Sequence, residues 1–406
     1  MRLRHLVVLV ALAFLCGQGL QPSARLSAFS VSRADRLSQR LVFAELHPWG
    51  TTPASSGYFA RWDGTGHNPL INDIVSTVWP ARGVYSMADC STVAAIGQEM
   101  WTAGIDVAMI TWVDIYPEEA SRVGTILRCI GETSPMRAVV MVDIEPAWHP
   151  ETWAAIQTRV SNAVAFATTP PFSNYYYRDP VSNLPVYVIY DPGGAATMDQ
   201  WNAVIDRYKT TPASNGIFVA GLGDHSPFNR PWQGAGLDHV TKSFFDGFSV
   251  LAGKNAEVYS STDPTTSDVQ NYLWAIWQVY GQSTSRNQFI VGQVIPGFDN
   301  RANCHEPHPV VVDRQNGAVF DRKWANLIAA NWNGRPFDHA SVAYDNDGED
   351  NGIAPISNAP PLRGPGYASC GGRLAANYTT QVTHPDDYLT ANRHWAQLFK
   401  MGAPGS

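Results

Sequence analysis

From residue 41 onward, short apolar runs alternate with longer stretches in which apolar residues recur every three or four positions. The runs are LVFAEL (41–46), IDVAMITWV (105–113), AVVMVDIEP (138–146), PVYVIYD (185–191), GIFVAGLG (216–223), DGFSVLAG (246–253), QFIVGQVIPGF (288–298) and ASVAYDND (340–347). They are rich in Val, Ile and aromatic residues, and five of the eight end in Gly, Pro or Asp, which predicts strands. Near-continuous apolarity, without polar alternation, predicts that both faces of these strands are buried.

Helical periodicity fills the gaps. It covers 88–104, 118–133, 149–167, 197–210, a short 237–244, 268–282, 321–332 and a last helix over 390–401. Asp89 or Ser91, Thr197 and Asp268 stand where a side-chain oxygen can accept from first-turn amides. Strands separated by helices of this length are parallel βαβ units, and eight of them predict an α/β fold, a single (β/α)8 TIM barrel with long loops and a C-terminal helix. An open doubly wound sheet is the competing arrangement, but no glycine-rich phosphate loop follows the first run. Trp274 and Trp277 are three residues apart on a predicted helix and are expected to pack in the core.

The first 21 residues, MRLRHLVVLVALAFLCGQGLQ, place two arginines and a histidine before an apolar run too short for a membrane span. This is the layout of a signal peptide, so a secreted or extracytoplasmic protein is expected, with a polar lead-in over 22–40 and one domain over 41–406. Cys16 would leave with the signal. Cys90, Cys129, Cys304 and Cys370 remain, an even set in an exported chain, and two disulfides are expected with the pairing open. Their wide spacing does not suit a zinc site.

Charge narrows the partners. A net charge of −7 and only 16% charged residues predict a folded protein, with no nucleic-acid partner and no membrane partner beyond the signal segment expected. Aromatics make up 11%, including 14 Trp, a supply that serves cores and sugar-stacking surfaces alike. No cofactor motif is present.

In a (β/α)8 barrel the chemistry lies at the C-terminal strand ends. Those ends carry Glu45, His47 and Trp49; Trp112 and Asp114; Asp143 and Glu145; Tyr190 and Asp191; Asp224 and His225; Asp299 and Arg301; and Asp345, Asn346, Asp347 and Glu349. A single acid there is commonly a helix cap. Acids or their partners at seven ends, set among Trp and Tyr, suit glycoside hydrolysis, which needs one protonated carboxyl and one carboxylate around an oxocarbenium-like centre. The run DNDGEDN over 345–351 can also be read as a calcium loop or a solvated turn. It lacks the EF-hand Gly at position six and Glu at position twelve, where Asp350 and Ile356 stand.

Several segments resemble glycoside hydrolase family 99-like domains. HPWGTTPASSGYFARWDGTGHNPLINDIVSTVWPARGVYS (47–86) is similar to the family's opening, a Tyr-Pro-Trp start followed by D-I-x-S-x-x-x-P-x-x-G-x-Y-S. AGIDVAMITW (103–112), IEPA (144–147), LPVYVIYD (184–191), FFDGFSV (244–250), IPGFDNR (295–301) and DRQNG (313–317) match later family segments in the same order. The resemblance implies a (β/α)8 barrel acting on an oligo- or polysaccharide, possible endo-action on α-linked mannose included, with two carboxylates in an N-E-W-H-E-G segment after the last strand. Laid onto residues 345–350, that segment puts its second Glu on Glu349, the implied general acid, and its first on Asn346. The family's base therefore has no counterpart at that position. Glu145, Asp345 or Asp347 is expected to act as base or nucleophile. Trp49, Trp62, His67, Trp112, Tyr190, Asp191, Asn346 and Asp299 are expected to line the sugar subsites. A non-catalytic carbohydrate-binding barrel is the alternative, and a metal-dependent hydrolase a third.

Overall fold

A barrel strand falls on each of the eight predicted runs, the third and eighth beginning one residue earlier than the run: β1 (Val42–Leu46), β2 (Val107–Trp112), β3 (Arg137–Asp143), β4 (Val186–Tyr190), β5 (Ile217–Leu222), β6 (Gly247–Val250), β7 (Phe289–Val294) and β8 (His339–Ala343). The structure is a computed structural model. It describes residues 37–63, 67–76, 78–114, 118–144, 151–192, 196–222, 244–250, 288–299, 311–312, 314–329, 331–332, 335–345, 350–357 and 386–402. All neighbouring strands run parallel, and the sheet closes on itself as β1 pairs with both β2 and β8. The expected (β/α)8 barrel is present.

Six described helices of the outer layer are α1 (Cys90–Thr102), α2 (Glu119–Thr133), α3 (Trp153–Thr168), α4 (Met198–Lys209), α5 (Ala318–Ala329) and α6 (Tyr388–Met401). Asp89 caps α1 by accepting from the Ser91 amide, and Thr197 caps α4 reciprocally with Gln200. A disulfide joins Cys90 of α1 to Cys129 of α2. Cys304 and Cys370, the expected signal segment, and the helices over 237–243 and 268–282 with Asp268, Trp274 and Trp277 lie outside the described residues. Among the described residues no helix is long and apolar enough to cross a membrane.

Strand register decides which side chains enter the barrel. In parallel pairing, residues at the same level point the same way, and alternate residues point oppositely. The pairs Glu45↔Met109, Met109↔Val139, Met141↔Val188, Val188↔Val219, Val219↔Gly247, Gly247↔Phe289, Val291↔His339 and Ser341↔Phe43 fix one continuous inner face. At its N-terminal end this face holds Phe43 and Phe289, both edge-on to His339, with ring centroids 6.2 and 5.1 Å away. Gly247 is required there, because a Cβ at that position would lie 2.3 Å from the Phe289 ring. Met109, Val139, Met141, Val188, Val219 and Val291 fill the middle as a buried apolar core.

The last inward position of each strand is different. Taking β1 to β8 in order, it holds Glu45, Thr111, Asp143, Tyr190, Gly221, Ser249, Gln293 and Ala343. Six of the eight are polar, above an apolar plug.

Three aspartates brace the opposite end. Asp106, Asp246 and Asp338 each immediately precede a strand and accept the amide of a neighbouring one: Val42 (2.8 Å), Phe218 (2.9 Å) and Ile290 (2.9 Å). Lys400 and Lys209 neutralise the first two at 2.7 and 2.5 Å. Such partners for otherwise unpaired strand-end amides are a stability device at the face of the barrel away from the chemistry.

Candidate active site

Glu45 opens the polar rim. Its Oε1 is 3.5 Å from the Thr111 hydroxyl and 3.4 Å from His47 Nε2. The other ring nitrogen of His47, Nδ1, is 3.7 Å from Asp345 Oδ2, and the His47 backbone N–H donates to the same carboxylate. Tyr85 donates to Asp345 Oδ1 at 3.5 Å. The imidazole therefore stands between two carboxylates, one on the first strand and one just beyond the last. Of these side chains Asp345 is closed off, at 1% exposure, and Glu45 is the accessible one, at 18%.

A layer of packing behind His47 holds it in place. Its ring stacks on Trp49 at 4.2 Å with the planes 12° apart, and the Arg61 guanidinium covers the Trp49 ring at 4.6 Å. The indole N–H of Trp49 donates to Glu119 at 3.3 Å, and the same oxygen accepts the Val113 amide at 2.7 Å. Arg122 donates to the Pro48 carbonyl at 2.7 Å. The loops after β1 and β2 are thus tied through α2.

Between β2 and β3, Arg159 of α3 reaches the Val113 carbonyl and Glu151. Burial pushes its guanidinium below the ordinary arginine range, against the pull of the carboxylates of Asp143, Asp114 and Glu119. Asp114 and Asp191 both carry left-handed backbone, at φ 68° and 48°, directly beyond β2 and β4. Left-handed non-glycine residues cost energy, and Asp tolerates the conformation better than most. The Asp191 amide donates to Gly221 at 2.8 Å, which fixes the turn beside Tyr190.

Beyond β8 the chain turns back along its own strand. Gly352 donates to the Asp345 carbonyl at 2.7 Å, Ile353 to Ala343 at 3.0 Å and Ala354 to Tyr344 at 2.8 Å. Gly352 lies so close that a Cβ would be 2.3 Å from the Tyr344 carbonyl carbon. Asp350–Asn351 pairs with Gly297–Asp299 of the loop after β7, and Ile356–Ser357 pairs with Trp79–Pro80. The Tyr344 hydroxyl donates to Glu99 of α1, which also holds Arg82 at 2.5 Å. Burial and the Glu99 carboxylate push Tyr344 well above the usual tyrosine range.

Measured against the sequence expectations, Trp49, Tyr190, Asp191 and Asp345 gather at the C-terminal strand ends. Three other expected sugar contacts are enclosed by protein. Trp62 is fully buried, edge-on to Tyr85 at 5.0 Å and donating to its carbonyl at 2.9 Å. The His67 side chain is 0% exposed and pairs with Asp73 at 2.6 Å. Both make their described contacts within the segment after β1. Trp112 neighbours the inward Thr111 and so faces outward, where its ring meets Phe166 of α3 at 5.9 Å. For Asp299 only the backbone pairing to Val311 is described. Glu145, Asn346, Asp347 and Glu349 lie outside the described residues.

The sequence placed Glu45 and His47 at a strand end without assigning them to the site, and it passed over Thr111, Ser249 and Gln293. The signal that finds them is parity along each strand, counted inward from Glu45. Among the described residues no group of three or more His, Cys, Asp or Glu side chains is arranged to hold a metal ion.

Overlaid on solved structures, the chain matches one barrel over almost its whole length, with a TM-score of 0.65, covering 89% of this chain and 97% of the other. In fold, the chain resembles the GH99 endo-alpha-mannosidase from Bacteroides thetaiotaomicron. A second structure of that enzyme gives the same TM-score of 0.65 over 90% and 98% of the two chains, with 15% identity in both comparisons. A glycoside hydrolase-like protein follows, with a TM-score of 0.56 and 10% identity over 91% and 98%. At such identities the likeness is one of fold, and it agrees with the family 99-like segments read along the sequence. No protein-family model and no curated protein matches the chain.

Proposed function

We propose that this protein is an exported glycoside hydrolase that cleaves an internal bond of an oligo- or polysaccharide, with α-linked mannose as the first sugar to test. The observation that carries this reading is the change in the barrel interior from an apolar plug to a rim of Glu45, Thr111, Asp143, Tyr190, Ser249 and Gln293. A polyhydroxylated substrate needs many converging donors and acceptors together with carboxylates of differing environment. The fold likeness to endo-alpha-mannosidase structures supports the reading, as do the ordered family 99-like segments. In this proposal Glu349 is the general acid, and a second carboxylate activates the attacking hydroxyl. The signal-like first 21 residues support export.

The chain without its first 21 residues is to be incubated with yeast α-mannan, other α-glycans and furanose polymers, following reducing-end release. Turnover on one of them, with Glu349→Gln losing at least 100-fold, is the expected result. Binding of a glycan without turnover on any, unchanged in Glu349→Gln, would instead identify a carbohydrate-binding barrel. Asn346, standing where the resembling family keeps a base, favours that second reading.

A further inference from the structure

We propose that Glu45 is the base of this site and that His47 and Asp345 position it. The inference rests on the glycosidase reading. It starts from a vacancy in the chemistry: Asn346 cannot take a proton as a carboxylate does, so another carboxylate must. Asp345, one residue away, is committed elsewhere. It is enclosed, and its oxygens accept from the His47 amide and the Tyr85 hydroxyl. Asp143 is also enclosed, at 4% exposure. Glu45 occupies the last inward position of β1, and 18% of its side chain is exposed.

Its orientation is fixed as a base requires. Thr111 donates to Oε1, and His47 Nε2 lies 3.4 Å from the same atom, where a protonated Nε2 adds a second donor. Donors aimed at a carboxylate stabilise its ionised form, the form that accepts a proton. His47 cannot turn away, because its ring is stacked on Trp49 and its backbone is bonded to Asp345. Asp345 lies 3.7 Å from the far nitrogen and holds His47 through its backbone amide.

In the step itself, Glu45 takes the proton of the hydroxyl that attacks the anomeric carbon. The oxygen's electron pair forms the new bond to that carbon while the glycosidic C–O bond breaks. The leaving oxygen receives a proton from the acid of the pair, for which Glu349 is the sequence candidate. The proton on Glu45 returns to water.

The test compares wild type, Glu45→Gln, Glu45→Gly, His47→Gln and the Glu45→Gly/His47→Gln double variant on the first polymer the wild type degrades, each checked for an unchanged unfolding temperature. Expected are a 100- to 10,000-fold fall in kcat for Glu45→Gln, within the range of acid–base catalysis, and a KM within about threefold. Sodium azide needs no base. It should restore Glu45→Gly at least tenfold and yield a glycosyl azide visible by mass spectrometry. His47→Gln should lower kcat alone but add nothing in the Glu45→Gly background, since it acts through Glu45. A folded Glu45→Gln retaining more than a tenth of wild-type kcat overturns the assignment of Glu45 and leaves the glycosidase reading standing. So does a rise in KM at constant kcat, or an azide reaction without glycosyl azide. A wild type inactive on every polymer overturns both.

Discussion

The backbone N–H of His47 donates to the Asp345 carboxylate at 2.5 Å, so the residue after the first barrel strand and the second residue after the last share one hydrogen bond. The carboxylate is buried and takes a Tyr85 hydroxyl on its other oxygen. Removing it strands two donors. Asp345→Ala should lower unfolding free energy by about 2–4 kcal/mol, the range for losing bonds to a buried charged group. Glu45→Gln, at the exposed end of the same line of residues, should change it by less than about 1 kcal/mol. Urea titrations followed by Trp fluorescence decide the point; equal losses would refute the division between a scaffold carboxylate and a reachable one.

Trp112 and Tyr190 make a matched pair of opposite orientation. Trp112→Phe alters only the helix-facing side, against Phe166, and should leave kcat/KM for the degraded glycan within twofold while lowering stability by about 1 kcal/mol. Tyr190→Phe removes a hydroxyl from the inner rim and should reduce kcat/KM about tenfold with little effect on stability. The reverse pattern would place Trp112 inside the barrel and Tyr190 against the helices.

Lys323 of α5 is buried, and desolvation pulls its ammonium down to about 7. Below pH 7 it is charged in both native and unfolded chains. Between pH 7 and about 10 the unfolded chain holds a proton that the native one lacks, so stability rises with pH, by at most ~1.4 kcal/mol per unit. Lys323→Met should abolish that slope, and its stability relative to wild type should be greatest near pH 7. Above pH 10 the sign reverses. Burial holds Tyr176, Tyr177, Tyr187 and Tyr344 protonated in the native state while the unfolded chain ionises. Parallel stability curves for wild type and variant from pH 7 to 9.5 would contradict the assignment.

Gly352→Ala should be among the most damaging small substitutions in the chain. Its Cβ would meet Tyr344 backbone rather than a movable side chain, so the returning segment would have to lift from β8. A loss of about 2–4 kcal/mol is expected, with a fall in turnover, since the displaced segment carries Asp350–Asn351 and their pairing to Gly297–Asp299. Calorimetry and activity on the same sample test both parts; a neutral alanine would mean that the return is not held as tightly as described.

The barrel was legible because all eight of its strands are buried on both faces and read as apolar runs. That same property hid the site. A strand without polar alternation does not tell which of its faces turns inward, so Thr111 and Trp112 look equivalent until the register is known. Trp112 drew attention as an aromatic at a strand end, yet it faces the helices. Trp62 and His67 stand in the segment that most resembles the family 99-like opening. There the sequence cannot separate a residue that touches a ligand from one that holds the loop, because enclosure by Tyr85, Asp73 and Gly50 depends on how the loop folds. Strand ends were legible only approximately. The run over 288–298 contains two strands, since Pro296 interrupts β7 before the separate Gly297–Asp299 pairing.

The bond between His47 and Asp345 also sets an order of events during synthesis. Glu45, His47 and Trp49 leave the ribosome early, nearly three hundred residues ahead of the aspartate that orients them. A nascent or truncated chain ending before β8 contains the imidazole and its stacking partner but not their anchor. The bond between His47 and Asp345 forms only once β8 has joined β1, so an unfinished chain lacks it.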